Sequence, residues 1–417
     1  MSRIAIANTY ATKRIWETLF FLKCPKQFLL NCLQELARTS PQFIIELSVV
    51  IAVTITYNEP TDRRLMDFKQ ELKNLIQIVV SENASDLHLS EGRFPTIRVA
   101  GTLIPITRSK ELTREDVNAI LFIVLSPEMR EKFLKEKELD FAFEAGGIRF
   151  RGNAFFQQGH ISIALRQINQ EIKSFEELRL PPILENFAKK KQGFFLVVGP
   201  TGHGKSTTLA SMIETINTNR AEHIVTIEDP VEYIFKQKQS IIDQRELGFD
   251  TQSFARGLKS AFRQDIDVLM IGEMRGPETI EAALTAAETG HLVFSTLHTN
   301  NASQTVDRII DTFPGDEQKQ IRSMLSSALT GIFSQRLIPS ISGGRVPAYE
   351  LLINNSAVGN LIREGRTHEI DSFIETSSDQ GMISLNRSLA ELVRQGEISV
   401  EDAYRYSPRG KNLERLL

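Results

Sequence analysis

The hydrophobic pattern divides the 417-residue chain into three blocks. Residues 1–65 carry scattered apolar clusters and end in a polar, turn-prone stretch at 58–64. From Met66 onward a helical period appears, with one apolar face made by Phe68, Leu72, Leu75, Ile76 and Val79. We predict that this helix opens the second block. Residues 1–65 are then either a translated upstream sequence, with Met66 as the start, or a poorly structured extension.

Alternation of apolar and polar positions in the second block, residues 66–170, predicts a small α+β domain. Short strands are predicted at 86–89, 96–99, 148–151 and 161–166. Thr113 and the pair Ser126-Pro127 are residue types that favour helix N-termini, so we expect two helices to begin there.

The third block, residues 175–417, follows a short polar connector at 169–174 and alternates apolar strands with helix-length segments, ending in a helical region. The strand candidates are 194–198, 224–227, 268–271 and 292–295. This pattern is typical of a doubly wound α/β domain with a parallel sheet. Such domains bind ligands at the carboxyl ends of the strands.

Composition excludes several classes of protein. A formal net charge of −3 argues against a globally basic nucleic-acid-binding protein. The two cysteines, Cys24 and Cys32, provide neither a disulfide framework nor a C-x-x-C zinc pair. The apolar stretch 43–57 contains Glu46 and is shorter than the roughly twenty residues that a membrane-spanning helix needs. Because the N-terminus also lacks the order of a signal peptide, we expect a cytoplasmic protein.

A phosphate-binding P-loop pattern, G-x-x-x-x-G-K-[ST], is present at Gly199-Pro200-Thr201-Gly202-His203-Gly204-Lys205-Ser206. An apolar strand pattern precedes it and an apolar helix pattern follows. Glycines let backbone N–H groups surround a polyphosphate, and the following helix directs its positive end at the same anion. We predict that this segment and Thr207 bind a nucleotide, with Lys205 on the β and γ phosphates and Ser206 on Mg²⁺. His203 occupies a variable position of the pattern and receives no chemical role.

Two acidic clusters follow later strands, as metal-dependent hydrolysis would require. The first, at 226–232, contains Glu228, Asp229 and Glu232, although a solvated acidic turn would have the same composition. The second is Glu273, which follows the strand predicted at 268–271. An acid in that position has the form of a Walker B element, which holds Mg²⁺ directly or through water.

The strand predicted at 292–295 has a histidine near each end, His291 and His298. A lone histidine is more often a structural residue than a reacting one. Two of them, at the ends of a strand that neighbours the P-loop, could instead sense the γ-phosphate. The pattern alone leaves both interpretations open.

In chain order, these motifs resemble the Walker A, Asp box, Walker B and His box of the secretion and type IV pilus ATPases. They lie at 199–206, 226–232, 271–275 and 287–299. Within that superfamily the chain is most similar to the PilT-type ATPases of pilus retraction, which segments 84–89 and 360–364 also resemble. The resemblance extends from Met66 to about Tyr404. It implies a RecA-like P-loop NTPase domain preceded by a small PAS-like α+β domain.

The resemblance also implies roles for single residues. Glu232 would be the general base that orients the attacking water, and Glu273 would hold the water shell of Mg²⁺. His291 and His298 would link the γ-phosphate to movement of the chain. Lys205 would bind phosphate, as the P-loop pattern already predicts.

A ring of six identical subunits is a further implication of the resemblance. Arg151 and Arg166 match small-domain arginines that approach the phosphates across a subunit boundary, although exposed strand positions would explain them equally. Hydrolysis would change the angle between the two domains and turn a pilus-platform protein at the inner face of the cytoplasmic membrane. A second retraction ATPase is a candidate partner, and no nucleic acid is expected.

Two positions depart from the PilT pattern. Ile266 stands where proline is usual, and Gly359 stands where arginine is usual, in the segment associated with retraction. A pilus-assembly or type II secretion ATPase is the nearest alternative, but those usually carry a four-cysteine element, and no cysteine follows Cys32. An accessory nucleotide-binding subunit is a third possibility, which the presence of Glu232 and Glu273 disfavours.

Overall fold

The computed structural model describes residues 62–99, 101–168 and 171–417, with side chains from Asp67 onward. Expectations about residues 1–61, including the start site and the apolar stretch 43–57, lie outside the described residues. Within the described ranges, no helix is both long enough and apolar enough to cross a membrane.

The chain divides into two compact units. One contains the described residues up to Gly146 together with Gly152–Leu165, and the other contains Gly147–Arg151 and Arg166–Leu417.

The smaller unit is built on a six-stranded sheet. Its strands are β1 (Asp86–Ser90), β2 (Thr96–Val99), β3 (Thr102–Pro105), β4 (Glu138–Ala145), β5 (Ile148–Gln157) and β6 (His160–Gln167). Its helices are α1 (Asp62–Ser81), α2 (Arg114–Val124) and α3 (Pro127–Glu136). The strands lie in the order β3-β2-β1-β6-β5-β4.

Local sequence signals account for the helices of this unit. The apolar face predicted for α1 is buried, with Val79 fully enclosed, but the helix begins at Asp62, four residues before the predicted Met66. An acid suits the first turn of a helix, so part of the stretch interpreted as a turn is helical. Thr113 caps α2 in a capping box with Asp116, and Ser126 caps α3, as predicted. The sequence did not reveal the short, exposed edge strand β3.

The larger unit is built on a seven-stranded sheet. Its strands are β7 (Gly193–Val198), β8 (His223–Glu228), β9 (Ile241–Glu246), β10 (Val268–Ile271), β11 (Leu292–Leu297), β12 (Leu329–Pro339) and β13 (Arg345–Ile353). Its helices are α4 (Leu184–Ala188), α5 (Lys205–Asn219), α6 (Phe254–Ala261), α7 (Pro277–Glu288), α8 (Ala302–Asp311), α9 (Gln318–Ala328), α10 (Ser356–Glu364), α11 (Ile370–Thr376), α12 (Leu385–Arg394), α13 (Val400–Tyr406) and α14 (Gly410–Glu414). Short 3₁₀ turns lie at Thr367–Glu369 and Ser378–Gln380.

The strand order in this sheet is β13-β12-β7-β11-β10-β8-β9, and only the β12–β13 pair is antiparallel. The strand that leads into the P-loop, β7, therefore lies between β11 and β12. Because β7, β8, β10 and β11 are parallel, their carboxyl ends reach the same edge of the sheet. This confirms the predicted α/β class with a parallel-containing sheet and places the segments that follow these strands close together.

Helices cover both faces of the large sheet. Phe194, Leu196 and Val198 belong to an apolar cluster with α6 to α10, while Phe195 and Val197 belong to one with α4 and α5. All six residues of β7 are buried, as expected for a parallel strand covered on both sides.

The two positions that depart from the PilT pattern are both buried. Ile266 lies just before β10 with 6% of its surface exposed. Gly359 is buried in α10, where a Cβ would lie 3.4 Å from the carbonyl oxygen of Ser326 at the end of α9.

Candidate active site

The P-loop connects β7 to α5 in the geometry that phosphate binding requires. Gly204, the N-cap of α5, has φ +81°, a left-handed conformation that favours glycine, and no side chain caps the helix at this end. The first N–H groups of α5 are therefore directed toward the loop. Such an end is a binding site for an anion such as a phosphate.

Lys205 is buried at the start of α5, with 7% of its surface exposed. Its ammonium donates to the Pro200 carbonyl at 3.0 Å and lies 3.2 Å from Nδ1 of His298. Burial lowers the pKa of Lys205, while the negative charges of Glu273 and Glu232 oppose that shift. The amine is thus held inside the loop with two carboxylates near enough to support its charge.

Glu273 follows β10 and contacts His298 from the other side. Its Oε1 lies 3.4 Å from His298 Nε2, and its Oε2 accepts hydrogen bonds from Arg275 Nε and Nη2 at 2.9 Å. A neutral His298 with its proton on Nε2 satisfies both the Lys205 and the Glu273 contacts. Lys205, His298 and Glu273 therefore form a continuous polar chain along the carboxyl edge of the sheet.

The Asp box places two acids in different environments. Glu228 ends β8 and is 6% exposed, whereas Glu232 is exposed. Oε1 of Glu228 accepts from the Thr226 hydroxyl at 2.6 Å and from Gln244 Nε2 at 3.3 Å. Burial raises the pKa of Glu228 to about 7. Glu228 is one of three acids in the predicted cluster at 226–232, but only Glu232 is assigned a role, although the place of Glu228 at the end of a buried strand is a usable signal.

A cavity of about 470 Å³ lies at the carboxyl edge of the large sheet. Its lining includes predicted residues from all four motifs, namely Thr201, Gly202, Gly204, Lys205, Ser206, Thr207, Glu232, Glu273 and His298. The structure therefore brings together the P-loop, both predicted acids and the second histidine.

His203 has a structural contact that the sequence did not indicate. Its Nδ1 accepts a hydrogen bond from the backbone N–H of Leu337 on β12, at 2.9 Å. Burial lowers the pKa of His203, and the charges of Arg336, Arg345 and Lys205 lower it further. A neutral ring suits a nitrogen that accepts from a backbone N–H.

His291 lies at the opposite edge of the sheet. It directly precedes β11, whereas His298 directly follows it, and six strand residues separate them by about 20 Å. The His291 ring contacts the Ala286 carbonyl at 3.0 Å and lies 6.1 Å from the Phe262 ring. Within one chain the structure does not bring His291 to the P-loop, so its link to the γ-phosphate stays a prediction.

Arg151 and Arg166 lie on neighbouring strands of the six-stranded sheet. Arg151 is on β5, Arg166 is on β6, and both are exposed. Their role across a subunit boundary stays a prediction.

The donor set fits Mg²⁺ held jointly with a nucleotide. Ser206 and Glu273 line the same cavity and would offer oxygen ligands, and Oε1 of Glu273 faces His298 rather than Arg275. Among the described residues, no three His, Cys, Asp or Glu side chains form a metal cluster on their own. Mg²⁺ usually takes one or two protein oxygens and completes its shell with water and substrate phosphates. Fold and site together define a P-loop nucleotide-binding protein with acids placed for phosphoryl transfer.

Comparison with known proteins extends this class to a family. The family model "Type II/IV secretion system protein" matches residues 65–346. The type IV pilus retraction ATPase PilT of Pseudomonas aeruginosa is 43% identical over 334 residues, which are 80% of this chain and 97% of PilT. The type IV pilus ATPase PilU of the same organism is 42% identical over 352 residues, which are 83% of this chain and 91% of PilU.

A solved structure agrees with these sequence matches. The crystal structure of the pilus retraction motor PilT with bound ADP aligns with a TM-score of 0.78 at 47% identity, covering 82% of this chain and 98% of that one. The chain therefore belongs to the type II/IV secretion system ATPase family, within its PilT-type group. It is a nucleotide-binding ATPase.

Proposed function

We propose that this protein is a motor that hydrolyses ATP to retract a type IV pilus and so drives twitching motility. The observation that carries the proposal is the polar chain from Lys205 through His298 to Glu273. It lies along one wall of the P-loop cavity, in a chain that aligns with nearly the whole of a retraction ATPase.

The residues of the cavity divide the work of hydrolysis. The P-loop N–H groups and Lys205 bind the β and γ phosphates. Ser206 and Glu273 would hold Mg²⁺, which would supply positive charge beside the phosphate oxygens. Glu232 accepts a proton from the water whose oxygen attacks the γ-phosphorus, while the bond from that phosphorus to the β–γ bridging oxygen breaks and ADP is the leaving group. Glu228 supports Glu232, because Oε2 of Glu228 lies 3.5 Å from the Glu232 N–H.

His298 links phosphate binding to the rest of the domain. Its ring contacts both the P-loop lysine and Glu273, so a phosphate that draws Lys205 away changes the contacts of His298. The segment that follows is held by β12, where Arg336 donates to the carbonyl and side-chain oxygens of Asn300 at 3.2 and 2.9 Å. A change at His298 would therefore reach β12 through Asn300.

The proposed working form is a homo-hexamer in the cytoplasm, bound peripherally to the inner face of the cytoplasmic membrane. Arg151 and Arg166 of one subunit complete the site of the next and offset charge in the transition state. Hydrolysis rotates the small domain against the large one and turns a platform protein. A second retraction ATPase, similar to PilU, shares the work.

Phosphate release by wild type and by Glu232→Ala tests the enzymatic part of the proposal. Removing a general base typically costs about 10² to 10⁴ in rate, so Glu232→Ala should lose nearly all activity while still binding ADP. Equal rates in the two proteins would overturn the motor proposal and favour an accessory nucleotide-binding subunit. Light scattering with and without nucleotide tests the hexamer.

Deletion of the encoding gene tests the direction of the motor. Loss of a retraction motor should leave cells with excess pili and no twitching. Cells without pili would instead identify an assembly ATPase. The near-equal identity to PilT and PilU, 43% and 42%, makes a PilU-like role the second candidate. Normal retraction in the deletion strain, lost only when a second ATPase is also deleted, would favour that role.

A further inference from the structure

One buried residue of β12, Gln335, contacts the P-loop at both of its ends. The residue is 3% exposed. Its Nε2 donates to the His203 carbonyl at 2.9 Å, and its Oε1 accepts from the Thr208 hydroxyl at 2.6 Å. Its own carbonyl lies against Gly199, where a Cβ would approach the oxygen to 2.4 Å. The first residue of the loop therefore packs against Gln335, and His203 and the first turn of α5 are hydrogen-bonded to it.

All three P-loop glycines have a positive φ, which favours glycine, and Gln335 packs closely against two of them. A Cβ on Gly204 would lie 2.9 Å from Gln335 Nε2, so the amide would have to shift to admit it. A Cβ on Gly202, by contrast, would have no neighbour within 4 Å. Gly199 and Gly204 thus face β12 rather than open space, and β12 packs against the side of the loop that these two glycines form.

The opposite face of β12 contacts a different segment of the chain. Side chains alternate along a strand, so Gln335 and Leu337 face the P-loop while Ser334 and Arg336 face the segment after His298. Ser334 donates to the Asn300 carbonyl at 2.9 Å. Consecutive residues of one strand therefore contact the P-loop on one face and Asn300, which does not line the P-loop cavity, on the other. Each contact can be tested against the other.

We propose that Gln335 is a positioning residue for nucleotide binding: its side-chain amide holds the P-loop in the conformation whose N–H groups receive the phosphates. The consequence for turnover rests on the ATP-driven function proposed above. Preorganised donors bind an anion without first having to reorient. Without the amide, the His203 carbonyl and the Thr208 hydroxyl lose their partner, and the loop can relax away from the binding conformation.

Gln335→Met tests this, because methionine has a similar volume and forms neither hydrogen bond. The measurements are the Kd for a fluorescent ADP analogue, the KM and kcat for ATP, and the Tm. We expect Kd and KM to rise about tenfold, the effect of losing a buried hydrogen-bonding group, with kcat changed much less. Ser334→Ala is the matched control, since Ser334 is the adjacent residue, is 2% exposed and bonds on the other face. It should lower Tm and leave Kd unchanged.

Substitutions of Thr208 keep the test decisive if Gln335→Met folds poorly. Thr208→Ser retains the donor and should bind the analogue as wild type does, whereas Thr208→Val removes the donor and should weaken binding. Thr208 and Gln335 share one hydrogen bond. The double variant, Thr208→Val with Gln335→Met, should therefore weaken binding by less than the sum of the two single effects on the binding free energy.

The proposal is wrong if Gln335→Met lowers Tm, as Ser334→Ala does, but leaves Kd and KM at wild-type values. It is also wrong if Thr208→Val and Thr208→Ser bind the analogue equally. Failure of the motor function would look different. A wild-type protein that binds the analogue but releases no phosphate would overturn the motor and leave the Kd comparison intact.

Discussion

The two edges of the large sheet carry the same residue types in opposite settings. At the amino edge, Lys191 precedes β7, Glu222 precedes β8 and His291 precedes β11. At the carboxyl edge, Lys205 follows β7 beyond the P-loop, Glu228 ends β8 and His298 follows β11. A lysine, a glutamate and a histidine are thus available at each edge for comparison.

At the amino edge, the lysine and the glutamate form an ion pair and the histidine contacts the backbone. Glu222 binds Lys191 at 2.7 Å and Arg220 at 2.9 Å, so its charge is paired with two cations. Lys191 is 79% exposed, and His291 contacts a backbone carbonyl. These interactions join neighbouring parts of the chain and line no nucleotide cavity.

Two of the carboxyl-edge groups, Lys205 and Glu228, are buried without such pairing, whereas His298 is exposed and contacts Lys205 and Glu273. Lys205 is enclosed by the P-loop, and Glu228 is held by neutral donors, with no cation within ion-pair distance in the described part of the chain. Burying ionisable groups in this way costs stability and is common where a ligand or a reaction uses them. Residue type and position beside a strand therefore do not define the site. It is distinguished by its place at the carboxyl edge of the sheet and by buried charges that lack an ion-pair partner among the residues that the structure describes.

Lys205→Met should give the largest contrast between the edges. We expect it to abolish detectable binding of an ADP analogue and to reduce hydrolysis by about 10³-fold or more, because a charge aimed at the phosphates is lost. Lys191→Met, at the other end of β7, removes an exposed cation outside the P-loop cavity and leaves Arg220 paired with Glu222, so hydrolysis should stay within about twofold of wild type. Comparable losses of binding and hydrolysis in the two variants would show that the two edges do not differ in function.

The glutamates at the two ends of β8 should respond to pH with opposite signs. Burial raises the pKa of Glu228 to about 7 from 4.5, so its contribution to stability is present at low pH and is lost as pH rises through 7. At pH 8, Glu228→Gln should therefore have a higher free energy of unfolding than wild type, by as much as about 3 kcal/mol. Glutamine can keep the Thr226 and Gln244 contacts and disturbs only the 3.5 Å contact from the Glu232 N–H.

Glu222→Gln provides the matched opposite result. Burial alone would raise the pKa of Glu222, but hydrogen bonds from Lys191 and Arg220 outweigh it, and the pKa lies below its usual value of 4.5. Its contribution is present above pH 4.5 and is lost as pH falls through the folded pKa. The variant should be less stable than wild type at pH 8, with a difference that shrinks in acid. Denaturant titrations at several pH values measure both, and the same sign for the two glutamates would contradict the pairing argument.

Most of this site could be predicted because its signals are local. The P-loop, Glu232, Glu273 and His298 each lie in a short motif beside a strand. Gln335 could not be predicted in this way, since it contacts His203 across 132 residues of sequence. Its strand also escaped prediction, because Ser334, Gln335 and Arg336 interrupt the apolar pattern of β12 with polar residues that are satisfied only by tertiary contacts.

The burial of Glu228 was hidden for a related reason. The sequence shows three acids within a few residues, and composition cannot tell which of them points into the sheet. Only the packing of β8 between β10 and β9 decides that Glu228 is enclosed while Glu232 is exposed. Local motifs therefore predicted which segments form the site, and tertiary packing decided which charges are buried there.

The histidines at the two ends of β11 should give the smallest difference in activity between the two edges. His298→Ala removes a ring that contacts Lys205 and Glu273, so we expect kcat to fall about tenfold, a typical loss for a group that supports reacting residues without replacing them. His291→Ala removes the contacts with the Ala286 carbonyl and the Phe262 ring, which lie outside the P-loop cavity, and should leave kcat unchanged. Steady-state hydrolysis and light scattering on both variants separate turnover from assembly. If His291→Ala lowers kcat as much as His298→Ala does while the hexamer remains assembled, the amino edge also takes part in turnover. The division between the two edges is then wrong.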